Sequence, residues 1–142
     1  MSTLTNALIG SSSAVSPVVE RHIYVRLLSE HYSKKAKAPK YMLWQDDITK
    51  IKQASSNLEV YEALINSYKQ AEILYIDDFF KTRRGDFVST ADVNATFKII
   101  NYRYNEGLPT VITSELSLEQ ISQIDEALGS RISEMANPKI FY

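Results

Sequence analysis

The sequence predicts an α/β fold with three layers, in which a mainly parallel sheet lies between two layers of helices. Two observations carry this prediction. Short, almost uninterrupted apolar runs recur along the chain, as expected of strands that are buried on both faces. Between the runs, apolar residues repeat with the period of a helix, so helical crossovers connect the strands and favour parallel pairing. The runs are residues 40–44 (KYMLW), 73–76 (ILYI), 110–113 (TVIT) and 139–142 (KIFY).

The helices are predicted from their apolar faces and from the residues that start and stop them. Side-chain oxygens three residues ahead of a helical N–H are typical caps, and glycine is typical of helix C-termini. The apolar faces cover residues 23–31, 58–68, 93–104 and 118–128. The expected start signals are Asn57, the Ser89–Asp92 pair and the Ser117–Gln120 pair, and the expected stop signals are Gly107 and Gly129.

Composition narrows the class of protein. The chain of 142 residues is 44% hydrophobic and 23% charged, which predicts one folded domain rather than a disordered chain. A net charge of −1 argues against a surface built only to bind nucleic acid. Without cysteine, and with two histidines, neither a disulfide framework nor a zinc site is expected. No long apolar segment or signal peptide is present, so we expect a cytoplasmic protein with no membrane contact.

The strongest motif is ILYIDDFF at residues 73–80, in which four apolar residues precede two acids. This is the Walker B pattern, in which a buried strand carries a carboxylate to the edge of a parallel sheet where ligands bind. There Asp77 would hold Mg²⁺, directly or through its water shell, and Asp78 would polarise the attacking water. The alternative is structural, because acids also end strands simply as good turn and cap residues.

The motif stands among three other segments in the order and spacing of one family. Together they resemble the DnaC/IstB group of helicase loaders, especially its phage and prophage branch, over residues 22–137. The resemblance implies an AAA+ fold with a P-loop NTPase-like core, ATP and Mg²⁺ as cofactors, self-association, contact with single-stranded DNA, and delivery of the replicative DNA helicase in DNA replication. The segments are YMLWQDDITKIKQ, ILYIDDFFK, TADVNATFKIINYRYNEGLPTVITSELSLEQI and DEALGSRISEMA.

The resemblance also implies roles for individual residues. Asp77 and Asp78 match the acidic pair of the family. Thr113, Ser114 and Glu115 match the sensor 1 position, where a polar side chain contacts the γ-phosphate. Many loaders have Asn where Glu115 stands, and an acid beside a polyphosphate is unfavourable unless a metal or a basic group offsets it. Thr113 and Ser114 are therefore the better cofactor-binding candidates.

Arg131, in the segment GSRI, matches the arginine that loaders direct towards the nucleotide of a neighbouring subunit. A guanidinium in that position stabilises transition-state charge and accelerates comparable nucleotide hydrolases by about 10³–10⁵-fold. This catalytic role requires an oligomer. In the alternative interpretation, Arg131 is a surface residue that caps carbonyl groups of the preceding helix.

A glycine-rich phosphate-binding loop, G-x-x-x-x-G-K-[ST], is missing. The four glycines are at positions 10, 85, 107 and 129, and the sequence contains no Gly-Lys pair. In one alignment STLTNALIG is the helix that follows the loop. In the preferred alignment HIYVRLLSEHYSKK is that helix, NALIG is the first strand, and Glu20 and Arg21 replace the loop Lys and Thr. Either alignment predicts weak or absent ATP binding.

We therefore expect a single AAA+-like core domain over residues 1–142, truncated or degenerate at its phosphate-loop end and at its C-terminus. Two functional alternatives remain open: a non-catalytic pseudo-ATPase that serves as a protein-interaction module, and a transposition-helper ATPase of the same family. A basic loop formed by Lys81, Arg83 and Arg84 could contact single-stranded DNA, although a solvated surface loop is the simpler interpretation. Trp44 is expected in the core rather than in base stacking.

Overall fold

The computed structural model describes residues 7–11, 39–136 and 140–141. The helix predicted over residues 23–31 and the segment SPVVER, which the preferred alignment places at the phosphate loop, lie outside these residues. The described strands form one sheet in the order β2-β3-β4-β1-β5, and every pairing in it is parallel. The strands are β1 (Ala7–Ser11), β2 (Lys40–Leu43), β3 (Leu74–Asp77), β4 (Thr110–Ser114) and β5 (Ile140–Phe141).

Helices connect the strands, as the change in apolar period predicts. The third of them packs against the first, the second and the fifth, and the fifth also contacts β1. The predicted α/β class with a parallel sheet is confirmed. No helix in the described part of the chain is long and apolar enough to cross a lipid bilayer. The helices are α1 (Trp44–Gln53), α2 (Leu58–Lys69), α3 (Thr90–Glu106), α4 (Leu118–Ile124) and α5 (Glu126–Ala136).

The first strand decides between the two alignments of the N-terminal segment. Ala7–Ser11 is extended and pairs with β4 and β5, so the alignment that makes STLTNALIG a helix is wrong. The preferred alignment, in which NALIG is the first strand, agrees with this pairing.

Most of the predicted helix ends are confirmed. The Asn57 side chain accepts a hydrogen bond from the Val60 N–H at 3.3 Å and caps α2. Ser89 and Asp92 form a reciprocal capping box at the start of α3. Gly107 ends α3 with φ of 65°, a left-handed conformation that glycine adopts without steric cost.

The helix predicted over residues 118–128 is two helices. The backbone is extended at Asp125 (φ −151°), and its Oδ1 accepts a hydrogen bond from the Leu128 N–H at 2.7 Å, so α5 starts there. The prediction that Gly129 ends the helix is wrong, since Gly129 lies inside α5. A Cβ at this position would lie 2.0 Å from Ser122 Oγ and 2.7 Å from Ser122 Cα. Glycine is required here by the close contact between α4 and α5.

Trp44 opens α1 rather than ending β2, and it is part of the core. Its side chain is 2% exposed, and Nε1 donates to Thr96 Oγ1 on α3 at 3.0 Å. The indole ring also packs edge-on against Phe80, with the ring centroids 5.3 Å apart. The expectation of core packing is confirmed, and these contacts join α1, α3 and the segment after β3.

Candidate functional site at the carboxyl edge of the sheet

Parallel pairing brings the carboxyl ends of β1, β3 and β4 to one edge of the sheet. Ile76 on β3 pairs with Ile112 on β4, and Ser11 on β1 pairs with Ser114 on β4. The chain order is interrupted between β4 and β1, and open α/β sheets bind their ligands at such a point, beyond the carboxyl ends of the strands. Asp77 is the last residue of β3, so its carboxylate lies at this edge.

Both carboxylate oxygens of Asp77 are held by hydroxyl groups from the neighbouring strands. Thr113 Oγ1 on β4 donates to Oδ1 at 2.8 Å, and the Tyr41 hydroxyl on β2 donates to Oδ2. Asp77 is 1% exposed, so these donors replace much of the hydration that the carboxylate loses on burial. Sequence reasoning missed Tyr41. Its register opposite Tyr75, two residues before Asp77, places it on the same face as Asp77.

The turn after β3 adopts a backbone conformation that non-glycine residues rarely accept. Asp78 and Phe80 have φ angles of 54° and 61°. Such a conformation persists only where the surroundings impose it, and it is found most often at functional sites. Here β4 imposes it, because the Phe79 N–H donates to the Thr113 carbonyl and Ser114 Oγ donates to the Phe79 carbonyl, both at 2.8 Å.

Two phenylalanines anchor this turn in the core. Phe79 is 0% exposed and Phe80 is 3% exposed, and their ring centroids are 4.2 Å apart. With both rings buried, the residue before them is left at the rim. Asp78 consequently presents a partly exposed carboxylate beside the buried carboxylate of Asp77.

A lysine side chain contacts two acidic residues at the outer part of the carboxyl edge. Lys81 Nζ lies 3.0 Å from Glu115 Oε1 and 3.8 Å from Asp78 Oδ2. Sequence reasoning assigned Lys81 to a basic surface loop, whereas the structure places its ammonium group between Asp78, in the turn after β3, and Glu115, after β4. The basic group needed to offset the acid at position 115 is therefore present, but it comes from a different loop.

The predicted site residues fall into two groups. Asp77, Asp78, Thr113 and Ser114 come together at the carboxyl edge, as expected. The Ser114 hydroxyl is occupied within the edge, since it also accepts a hydrogen bond from the Leu116 N–H at 3.1 Å. The roles assigned to these residues stay predictions.

Arg131 lies elsewhere, on α5 against α3. Its Nε donates to Asn101 Oδ1 at 2.7 Å, and its guanidinium lies over the Phe97 ring at 4.9 Å. A further hydrogen bond reaches the Ala127 carbonyl at 3.2 Å, one turn earlier in α5. This carbonyl cap is the kind of contact expected in the structural alternative, although the cap lies within α5 itself.

The edge fits one half of a Mg²⁺–nucleotide site. Mg²⁺ prefers oxygen ligands and commonly uses only one or two carboxylates, with waters and substrate phosphates as its other ligands. Asp77 and Asp78 meet this requirement. Among the described residues, no group of three or more His, Asp or Glu side chains is placed to hold a metal ion. The phosphate half differs, because a sequence without a Gly-Lys pair cannot form the usual phosphate loop.

Comparison with curated proteins identifies relatives in Bacillus subtilis (strain 168). The chain is 39% identical over 83 residues to the phage-like element PBSX protein XkdC, covering 58% of this chain and 31% of XkdC. It is 33% identical over 120 residues to the uncharacterized protein YqaM, covering 84% of this chain and 37% of YqaM. The chain thus spans about a third of the length of these relatives. No family model matches the sequence.

Solved structures of DNA replication proteins have the same fold as this chain. The DnaC helicase loader superposes with a TM-score of 0.68 at 23% identity, over 96% of this chain and 77% of that protein. DnaI gives a TM-score of 0.67 at 16% identity, over 99% and 72%. The replication initiator DnaA bound to AMPPCP and single-stranded DNA gives 0.69 at 16% identity, over 98% and 40%. This chain has the same fold as DnaC, DnaI and DnaA, and one of its relatives belongs to a phage-like element.

Proposed function

We propose that this chain is a helicase-loader-like AAA+ module of DNA replication, which delivers or regulates a replicative helicase under the control of Mg-ATP. The observation that carries the proposal is the position of Asp77 at the carboxyl tip of β3, fixed by Thr113 on the adjacent strand. The fold shared with the DnaC helicase loader, and with DnaA bound to AMPPCP and single-stranded DNA, supports the same assignment.

The chemistry assigned to the edge follows from its geometry. Bound Mg²⁺ would neutralise charge on the phosphates as a Lewis acid. Asp77 would hold the ion directly or through water, and Thr113 and Tyr41 would keep the Asp77 carboxylate in a single orientation. Asp78, presented at the rim by the left-handed turn, would orient the attacking water.

Self-association is part of the proposal, because we assign Arg131 to the nucleotide site of a neighbouring subunit. Its guanidinium is half-buried on α5 and stacks on Phe97, so the group is already oriented before any neighbour binds. The loop after β3 provides the surface that we assign to contact with single-stranded DNA. There Phe87 is 85% exposed and Arg83 and Arg84 are also exposed, which offers a stacking ring and cations for phosphates.

A second candidate is a pseudo-ATPase that binds a replication protein without using nucleotide. The specific observation that favours it is the combination of a missing Gly-Lys pair with an Asp77 carboxylate whose two oxygens already accept hydrogen bonds from the protein. In this alternative the acids have a structural role and partner binding does not depend on ATP.

One experiment separates the two candidates. The chain is mixed with a hexameric replicative helicase and a labelled DNA single strand, with and without Mg-ATP, and complexes are measured by size-exclusion chromatography with light scattering. We expect a complex whose stability depends on Mg-ATP. A complex that forms equally well without nucleotide supports the pseudo-ATPase, and the absence of any complex contradicts both.

A further inference from the structure

Phosphate groups in nucleotide sites are normally met by a cation, and in P-loop proteins this is the lysine of the glycine-rich loop. Because this chain has no Gly-Lys pair, the charge has to come from another position if nucleotide binds. Among the described residues at the carboxyl edge, Lys81 is the lysine whose ammonium group reaches both the Walker B turn and the sensor position. It is therefore the natural replacement.

We propose that Lys81 supplies the positive charge that meets the terminal phosphate of ATP, and that Glu115 holds this lysine when no phosphate is present. The inference rests on the proposed nucleotide-binding function and adds a residue and a specificity to it. Glu115, which is unfavourable by itself beside a polyphosphate, becomes the resting partner of the lysine.

The ion pairs at Lys81 are suited to such an exchange. The side chains of Lys81 and Glu115 are 43% and 56% exposed, so solvent screens their attraction and the pair is weak. A triphosphate carries more charge than one carboxylate and accepts hydrogen bonds through several oxygens, so it competes well for the ammonium group. The shorter of the two contacts, 3.0 Å between Lys81 Nζ and Glu115 Oε1, keeps the lysine at the edge until a phosphate binds.

The position of Lys81 also predicts discrimination between nucleotides. Lys81 lies beside Asp78, the residue proposed to orient the water that attacks the terminal phosphate. Its charge should consequently act on the γ-phosphate and not on the phosphates that ATP and ADP share. Loss of the charge should weaken ATP binding while leaving ADP binding almost unchanged.

The test compares Lys81→Met with a matched control, Lys98→Met. Lys98 pairs with Glu62 on α2 at 3.7 Å and is 45% exposed, so the control removes an equally exposed, paired lysine away from the edge. Affinities for Mg-AMPPCP and Mg-ADP are measured by isothermal titration calorimetry. We expect Lys81→Met to weaken AMPPCP binding at least about tenfold, as for loss of a charge-assisted hydrogen bond, with ADP affinity and the control unchanged.

Glu115→Gln gives a second, opposite readout, because it removes the acid that competes with the phosphate for Lys81. This variant should bind AMPPCP a few times more tightly than the unmodified chain. Unchanged AMPPCP affinity in Lys81→Met, or equal losses for AMPPCP and ADP, would overturn the assignment of Lys81 alone. A chain that binds neither nucleotide would overturn the proposed ATP-binding function as well.

Discussion

Replacing Arg103 with methionine is expected to lower the free energy of unfolding by about 3–5 kcal/mol, because a buried hydrogen-bond network is broken and each acceptor left unsatisfied costs about 1–3 kcal/mol. The Arg103 side chain is 0% exposed, and burial lowers its pKa to about 10, so it remains charged at neutral pH. Without the guanidinium, buried oxygen atoms at the end of α2 and before β4 lose their donor. These acceptors are the carbonyl oxygens of Tyr68, Lys69, Ala71 and Pro109 and the hydroxyl of Thr110.

Urea denaturation followed by Trp44 fluorescence measures this effect. Arg84→Met is the control, because Arg84 is exposed in the loop after β3 and its loss should change stability by less than about 0.5 kcal/mol. If Arg103→Met does not fold, Arg103→Lys retains the charge and some of the donors and should be intermediate. A loss of less than about 1 kcal/mol in Arg103→Met would contradict the role of this network.

Replacing Asp78 with asparagine is expected to reduce Mg-ATP hydrolysis at least about 100-fold, as for removal of a residue that orients and activates the attacking water. Asparagine is the informative substitution, because it tolerates the left-handed φ of 54° nearly as well as aspartate does. The fold should therefore be retained, and nucleotide affinity should change little. Single-turnover hydrolysis at saturating enzyme measures the chemical step directly.

Asp86→Asn is the matched control for the charge change, since Asp86 is an exposed acid in the loop that follows. Its hydrolysis rate should equal that of the unmodified chain. Equal rates for Asp78→Asn and the unmodified chain would refute the role assigned to Asp78.

Those parts of the fold that depend on local signals could be predicted from the sequence. Apolar runs identified β3 and β4, which are buried along their whole length, and also the partly exposed edge strand β2. The capping box at Ser89 and the left-handed Gly107 were also readable, since each is satisfied within a few residues of chain. The order of the strands in the sheet could not be predicted from these local signals, because it depends on pairing between segments that are distant in sequence.

Features that depend on close or distant contacts could not be predicted in the same way. The position of Gly129 in the sequence indicates a helix end, but the residue lies inside α5. Glycine is needed there because a Cβ atom would overlap with Ser122 on α4. In the sequence, Arg103 has the pattern of a polar residue on the exposed face of an amphipathic helix. Its burial is favourable because carbonyl groups of two other segments accept hydrogen bonds from the guanidinium.

The candidate site shows the same division. Asp77 and Asp78 were recognisable because the Walker B pattern is continuous in sequence. Tyr41 and Lys81 were not, since their contacts with the site cross from a neighbouring strand or depend on the turn geometry after β3. A tyrosine in an apolar strand and a lysine in a loop are common in proteins without any role in a site. Their contribution becomes visible only when the pairing of β2 with β3 and the turn after β3 are known.

Paramagnetic broadening tests most directly whether the carboxyl edge of the sheet is a metal–nucleotide site. Mn²⁺ with AMPPCP is titrated into the ¹⁵N-labelled chain, and the loss of each backbone amide signal is measured by NMR. We expect selective broadening at Asp77, Asp78, Thr113 and Ser114, and loss of this pattern in Asp77→Asn. Absence of broadening at these residues, or broadening that persists in Asp77→Asn, would contradict the assignment of this edge as the binding site.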